Sequence, residues 1–401
     1  MPAFYKEWFY RAKLSLMATV ITKPQPRPIV FVGENSSLKL CDTISRFGLK
    51  KILVVTDKPL VELGMLEGTQ AALRERGVEC QLYDGVLPDP TQQVVDDGIA
   101  MLRQHQCDGV LAFGGGSSID AAKVIALAAG NNCKAADCIG ANKSKHPALP
   151  LFAIPTTAGT GSEGTFIAVV SDNVTHHKDG VIDARIIPRA AALDPVLMTG
   201  LPPHITAATG MDALTHAIES YIGTWETDDT NFYGLAACKL IFENIEEACK
   251  NGQNLAAREA MALASFYGGL AITNALVGYV HAVSHNLGAK YGVPHGLGNA
   301  MVLPHVLELL KESAAAKLAE IAVYTGLGDK SEGENALAQK VIDKVWALNA
   351  AIGIPKTTDV IKEEDIEELV DLALKEGSGY PTPRFLERDE ALGLVRSLRA
   401  A

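Results

Sequence analysis

The sequence contains no C-x-x-C pair, and its cysteines are odd in number, seven in 401 residues. Neither a disulfide framework nor a cysteine-based zinc site is therefore expected. Cys41, Cys80, Cys107, Cys133, Cys138, Cys238 and Cys249 are read as reduced thiols in a cytoplasmic protein. An excess of basic residues is also missing. Lys and Arg number 36 against 47 Asp and Glu, and the formal charge of -11 argues against nucleic acid or an anionic membrane as partner. No apolar stretch approaches the roughly 18 residues needed to span a bilayer, and repeats and low-complexity segments are lacking. Residues 14–21, after Arg11 and Lys13, look faintly like a leader. Ser15 and Thr19 interrupt that run, no small-residue cleavage site follows, and Glu7 precedes it, so a strand is expected there.

What is present is ample apolar material. Apolar residues make up 48% of the chain and charged ones 21%, enough to bury sizeable cores. At about 100–200 residues per domain, the length predicts two domains. The first half alternates strand and helix signals. Residues 51–56 (KILVVT) form an apolar, β-branched run, followed by a helical stretch to Arg76 and then Gly77; 78–83 (VECQLY) read as a second strand. Thr91 is an N-cap for a helix to about Gln106, with Val94, Val95, Ile99 and Leu102 at helical spacing. Residues 109–113 (GVLAF) make a third strand, 117–129 a helix ended by Gly130, and 149–154 (LPLFAI) a fourth strand. Such alternation implies βαβ units and a parallel sheet. Beyond Asp194 the texture changes. Leu201-Pro202-Pro203 reads as a hinge, and Ala/Leu/Glu-rich stretches such as 231–249 and 255–272 predict an all-helical second half.

The third strand runs into Gly114-Gly115-Gly116-Ser117-Ser118-Ile119-Asp120. Three glycines let a ligand approach the backbone, and the following helix aims its free N–H groups and positive dipole end at it. A pyrophosphate suits that position. Ser117 and Asp120 have capping-box spacing. The pattern is not G-x-G-x-x-G, since Ile119 stands at the third glycine, and a plain tight turn is the competing reading. A formal G-x-G-x-x-G at 159–164 follows Pro155-Thr156-Thr157, so 155–163 reads as a polar cofactor loop rather than a second fingerprint. Asp57 ends the first strong strand, where a carboxylate accepts from a ribose 2′-hydroxyl and repels a 2′-phosphate; a turn residue in Asp57-Lys58-Pro59 fits equally well.

Asp212 and His216 lie at i and i+4 in a helical stretch, and His281 and His285 repeat that spacing; His295 follows in a Pro294-His295-Gly296 turn. Each pair shares a helix face. One such pair is more often structural than metal-binding, but two pairs and a further histidine reverse that weighting. One carboxylate and several imidazoles suit zinc or iron. Five candidates for a four-ligand site that stays open leave at least one histidine outside the ligand set. His105, His146, His176, His177, His204 and His305 are read as surface or packing residues.

The segments GGGSSIDAAK (114–123), PTTAGTGSE (155–163), GMDALTHAIESY (210–221) and VHAVSHNLGAKYGVPHG (280–296) together resemble the iron-containing (group III) alcohol dehydrogenases, from about residue 30 onward. The resemblance implies a dehydroquinate synthase-like fold: an α/β dinucleotide-binding domain with a parallel sheet over 1–198 and an all-α metal-binding domain over 199–401. Cofactor and metal are expected in a cleft between the two. By that likeness Asp212, His216, His281 and His295 hold the metal, Fe2+ with Zn2+ as the other choice, and His285 is a catalytic histidine near the nicotinamide. Asp57, Asp89, Gly115, Gly116, Ser117, Asp120, Thr156, Thr157, Thr160, Ser162, Val169, Lys178 and Leu197 match cofactor-contacting positions, and Asp57 tilts the choice to NAD.

The implied activity is interconversion of a small primary alcohol or diol and its aldehyde, with the metal as a Lewis acid and hydride passing to or from the nicotinamide. A cytoplasmic homo-oligomer, a dimer, is expected, acting on a small molecule and on neither nucleic acid nor membrane. Two readings compete: a zinc glycerol dehydrogenase or maleylacetate reductase on the same fold, and a catalytically silent NAD-binding protein.

Overall fold

Five successive residues, Ile52 to Thr56, are buried in the strand Lys51–Asp57, and Gly109–Gly114 is buried throughout. A strand dry on both faces must be covered by helices on both sides. The computed structural model, which describes residues 3–174 and 177–400 and only the backbone of 3–8 and 20, has that arrangement. It divides into two compact units, Gln25–Leu201 with Gly252–Gly269, and Met1–Pro24 with Pro202–Asn251 and Leu270–Ala401.

The first unit is built on a six-stranded sheet. Its strands are β1 (Ile29–Val32), β2 (Lys51–Asp57), β3 (Glu79–Val86), β4 (Gly109–Gly114), β6 (Leu151–Pro155) and β9 (Ala190–Leu193). All pairings are parallel, in the order β1-β9-β6-β4-β2-β3. A smaller sheet of β5 (Gly140–Ala141), β8 (Lys178–Ile182) and β7 (Ile167–Ser171) stands apart, with β7 and β8 antiparallel. Alternate residues of β2 point into different cores. Leu53 and Val55 meet the helices Gln92–Gln104 and Gly116–Asn131, while Ile52 and Val54 meet Ser36–Arg46 and Glu67–Glu75. The strand order reverses between β2 and β4, so their carboxyl ends, Asp57 and the 114–116 glycines, flank the switch point where open α/β sheets take ligands.

The four expected strands and the Thr91 cap are present; Thr91 Oγ1 accepts from Val94 N at 3.4 Å. Several local expectations are corrected. The helical stretch after Asp57 is two helices, Lys58–Glu62 and Glu67–Glu75, parted at Gly64, whose φ of 68° leaves the helical region. The helix after the triple glycine starts at Gly116 and runs past Gly130 to Asn131, with left-handed Asn132 as its stop. Because it starts one residue early, Ser117 is already in its first turn and makes no capping box.

The second unit is helical. Pro203–Ile222 starts on proline, which suits a first helical position because its missing N–H would have no partner there. It packs against Asp228–Lys250 and His295–Leu310; Tyr279–Tyr291, Ala315–Tyr324, Glu334–Ala351, Ile366–Gly377 and Arg388–Ser397 complete it with the end of Leu255–Ala275. The strand expected over 14–21 is instead part of a helix, Ala3–Ile21. Leu14 is buried while Leu16 and Met17 are exposed, and Tyr10, Arg11, Ala18 and Ile21 are part-buried, a helical rather than alternating pattern. The helix is anchored at both ends. The Arg11 guanidinium donates to the carbonyls of Thr382 and Pro383 at 2.9 Å each, and Asn274 Nδ2 donates to those of Ile21 and Lys23. Pro24, Pro26 and Pro28 prevent it from continuing. Among the described residues no single helix is long and apolar enough to cross a membrane.

The helix Leu255–Ala275 meets the 155–164 loop at a point with no room for a side chain. Gly161 has φ 58°, and a Cβ at Gly269 would stand 2.2 Å from the Gly161 carbonyl oxygen. Alanine in a helix interior normally gains about 1 kcal/mol over glycine, but forced overpacking costs about 1–3 kcal/mol or more. Gly269→Ala should therefore lower the unfolding midpoint in denaturant. A midpoint at or above that of the parent would show that the loop is not held at this contact.

Candidate active site

Asp212, His216 and Glu219 occupy i, i+4 and i+7 on Pro203–Ile222 and so share one buried face. The helix Tyr279–Tyr291 brings His281 and His285, and His295 is the first residue of His295–Leu310. His295 was expected in a turn; Pro294 caps the helix and places it one residue inside. One ligand atom from each of Asp212, His216, His281 and His295 falls within a single 4.8 Å cluster. The His216 and His281 rings stack at 5.0 Å. Burial, and then the neighbouring imidazoles, push His281 well below the usual histidine range, keeping the neutral form that can donate a lone pair. Among the described residues no lysine or arginine pairs with Asp212; its ion-pair partners are His216 and His295. A buried carboxylate ringed by imidazoles and lacking a lysine or arginine partner is a donor set suited to a divalent cation.

Two residues not singled out in the sequence complete this cluster. Glu219 is buried, and its carboxylate accepts from His281 Nδ1 at 2.6 Å, from Gly278 N at 2.9 Å and from Val280 N at 2.7 Å. Burial, with a smaller push from Asp212, raises the Glu219 carboxyl above its ordinary range, and the backbone N–H groups of Gly278, Val280 and His281 oppose that. Its bond places the His281 proton on Nδ1 and leaves Nε2 as the lone-pair atom. The Nδ2 of fully buried Asn299 then lies 2.7 Å from Asp212 Oδ1 and 3.1 and 3.2 Å from the Nε2 atoms of His281 and His295. The signal for both was helical spacing: Glu219 three residues beyond His216, Asn299 four beyond His295.

His285 lies outside the cluster but touches it. Its ring stacks on His295 with centroids 5.3 Å apart and meets His281 edge-on at 5.5 Å. Of the remaining histidines, His305 packs edge-on against Trp346 and His177 is exposed beside Asp179. His176 lies outside the described residues.

In the α/β unit, Gly115 is the N-cap of Gly116–Asn131 and has no side chain to satisfy the free N–H groups. A Cβ at Gly115 or Gly116 would meet the side chains of Thr157 and Thr160 respectively, so the glycine turn and the 156–160 loop lie face to face. Asp120 makes no cap. Its carboxylate accepts from Ser162 Oγ at 2.5 Å and from Val169 N at 2.9 Å, joining helix, loop and β7. Lys178 Nζ pairs with Asp89 at 2.7 Å, and Thr156 N donates to the Gly114 carbonyl. Asp57 caps the helix Lys58–Glu62, with Oδ1 accepting from Leu60 N at 3.0 Å. Leu197 packs on the sheet core. No hydrogen bond or ion pair joins Asp57, Ser117 or Leu197 to the rest of this set among the described residues.

Lys123, not singled out from sequence, organises the loop. It is fully buried, and its three donors reach Ser162 Oγ at 2.9 Å, Thr165 Oγ1 at 2.8 Å and the Ile167 carbonyl at 2.7 Å. Burial lowers its ammonium to about 8, while Asp120 and Glu163 act to raise it. Glu163, also buried, is pushed up to about 7 by burial, against its own backbone N–H and then Lys123.

Comparison with known proteins agrees with both halves of this description. The profile of the iron-containing alcohol dehydrogenases matches residues 26–195, and that of the C-terminal part of the Fe-containing alcohol dehydrogenase family matches 206–398. Alcohol dehydrogenase 4 of Schizosaccharomyces pombe is 39% identical over 369 residues, covering 91% of this chain and 86% of that protein. The NAD-dependent methanol dehydrogenase of Bacillus methanolicus is 37% identical over 372 residues, covering 92% and 98%. A crystal structure of 1,3-propanediol oxidoreductase superposes with a TM-score of 0.90 at 38% identity, covering 93% of this chain and 98% of that one. The chain belongs to the iron-containing alcohol dehydrogenase family.

Two consequences can be measured. Glu219→Gln would set an amide N–H against donors that require an acceptor, and supporting partners of metal-binding histidines are typically worth 10–100-fold in affinity. Iron retained after dialysis against a weak chelator should fall by about that factor, and unchanged retention would remove Glu219 from this role. The second concerns Glu163. With its carboxyl near 7 in the folded chain against an ordinary 4.5, the folded state holds a proton between those pH values that the unfolded state lacks. Stability from this group therefore falls as pH rises through that window. Glu163→Gln should make the slope of unfolding free energy against pH more positive there, by up to one proton; an unaltered slope would mean that Glu163 is already ionised when folded.

Proposed function

We propose that the protein is an NAD-dependent, iron-containing alcohol dehydrogenase that interconverts a small primary alcohol or diol and its aldehyde. The observation carrying this reading is the convergence of Asp212, His216, His281 and His295 within one buried cluster. One carboxylate and three imidazoles favour ferrous iron or zinc over magnesium or calcium, and family membership favours iron. With both groups bound, the metal supplies a Lewis acid to the substrate oxygen and the nicotinamide a hydride acceptor or donor.

The chain's own residues bind and orient. Glu219 holds the His281 ring in register, and Asn299 steadies the Asp212 carboxylate. In the α/β unit the 114–116 glycines and the start of Gly116–Asn131 are read as the pyrophosphate seat, since backbone N–H groups and the helix dipole favour an anion there. Asp57 has one oxygen committed to Leu60 N and the other left for a ribose hydroxyl, and its charge opposes a 2′-phosphate, which supports NAD. Asp89, Gly115, Gly116, Ser117, Asp120, Thr156, Thr157, Thr160, Ser162, Val169, Lys178 and Leu197 are assigned to the same cofactor site. His285, partly exposed and in ring contact with the metal-binding histidines, is assigned the alcohol proton. The free state of all seven cysteines supports a reducing, cytoplasmic setting.

Anaerobically iron-loaded enzyme should reduce NAD with a panel of primary alcohols and diols, lose activity on chelation and regain it with ferrous iron better than with magnesium. Activity that survives rigorous chelation would overturn the metal assignment. His281→Ala and His295→Ala should lose metal and turnover together. His285→Ala should keep near-stoichiometric iron while kcat falls by about 10²–10⁴-fold, the usual worth of a general acid–base group. A metal-free His285→Ala beside a metal-bound His281→Ala would exchange the two roles.

A further inference from the structure

The histidine assigned to the proton is itself held by a carboxylate from the helix Ile366–Gly377, far along the chain from the glycine and histidine motifs. Glu376 Oε1 lies 2.6 Å from His285 Nδ1, and the same oxygen accepts from Tyr380 Oη at 2.7 Å. Asn286 Nδ2 donates to Oε2 at 3.2 Å. Burial, and then Glu376 itself, raise the Tyr380 hydroxyl well above its ordinary range, so it stays protonated as a donor. A carboxylate only accepts, so with three donors converging on it the His285 proton belongs on Nδ1. Nε2 then carries the lone pair, on the far side of the ring from Glu376.

The support is firmly mounted. Thr224 N donates to the Pro381 carbonyl at 2.7 Å, Leu386 N donates to Tyr279 Oη at 3.1 Å, and Arg11 grips the carbonyls of Thr382 and Pro383. A Cβ at Gly377 would stand 2.2 Å from the Tyr279 ring, so the end of the Glu376 helix lies directly against the helix bearing His281 and His285. Both His285 and Glu376 are about one-third exposed, at 32% and 29%, so the pair is open on one side.

We infer that Glu376 is a positioning residue for the dehydrogenase reaction: it holds His285 as the Nδ1–H tautomer in one ring orientation and so presents Nε2 as the proton acceptor. Tyr380 and Asn286 complete the carboxylate's partners and keep it from turning away. A neutral histidine with no partner favours the proton on Nε2, so losing the carboxylate leaves a donor where the reaction needs an acceptor. This inference rests on the assignment of the alcohol proton to His285.

The test is a double-mutant cycle on iron-loaded, full-length enzyme, reading kcat, KM for alcohol, bound iron and NAD affinity. Glu376→Gln keeps the side-chain shape and should lower kcat by about 10–100-fold, the range for supporting residues of this kind. KM, iron content and NAD affinity should stay near the parent values, and Glu376→Asp should recover part of the loss. In a His285→Ala background Glu376→Gln should cost nothing further. Losses that multiply in the double variant, or a parallel fall in iron content, would overturn the role of Glu376 while leaving His285 in place. If His285→Ala alone keeps parental turnover, the assignment of the proton falls, and this inference with it.

Discussion

Glu219 is the contact on which the helical unit's chemistry turns. Burying a carboxylate costs several kcal/mol unless donors replace its water, and here two backbone N–H groups and one imidazole do so. All three come from the start of a second helix. The carboxylate therefore ties the helix carrying Asp212 and His216 to the helix carrying His281, and it selects the His281 tautomer in doing so. Because i, i+4 and i+7 lie on one rigid face, fixing Glu219 also fixes Asp212 and His216 beside it. Asn299 extends the constraint to the third helix through Asp212, His281 and His295.

The α/β unit answers a related problem in a different way. The glycine turn at 114–116 has few side chains of its own to define the wall opposite it. Lys123 and Asp120, from the helix that follows the turn, reach into the 162–169 segment and supply it. The same loop is held from behind by the close approach of Gly161 and Gly269. Buried charge on one side and the absence of a side chain on the other set where Thr157 and Thr160 stand.

The elements legible in the sequence were those whose signals are local. Apolar runs of β-branched residues marked β2 and β4, and Thr91 marked its helix by capping chemistry. Of the strands not read from the sequence, Gly140–Ala141, Lys178–Ile182 and Ala190–Leu193 carry little preference apart from their sheet neighbours, whereas β1 (IVFV) and β7 (IAVVS) carry a β-branched signal over only four or five residues. Residues 14–21 read as a strand in the sequence but lie in a helix, with Leu14 buried, Leu16 and Met17 exposed, and the Ile21 carbonyl held by Asn274. The Ser117–Asp120 capping box had the right spacing, but Ser162 Oγ and Val169 N took the Asp120 carboxylate instead.

The sequence by itself determined that a parallel α/β half precedes a helical half, that three glycines join a strand to a helix, and that five residues are candidates for a metal. Each depends on period, composition or spacing within one or two helical turns. The family likeness already set His281 and His295 apart from His285; only the tertiary structure decided that their ligand atoms converge with those of Asp212 and His216, and that Glu219, Asn299 and Glu376 stand behind these histidines and Lys123 behind the 162–167 segment. Those relations join residues as far apart as Asn299 and Asp212 or His285 and Glu376, and side-chain direction across such separations is set by helix packing rather than by any pattern along the chain.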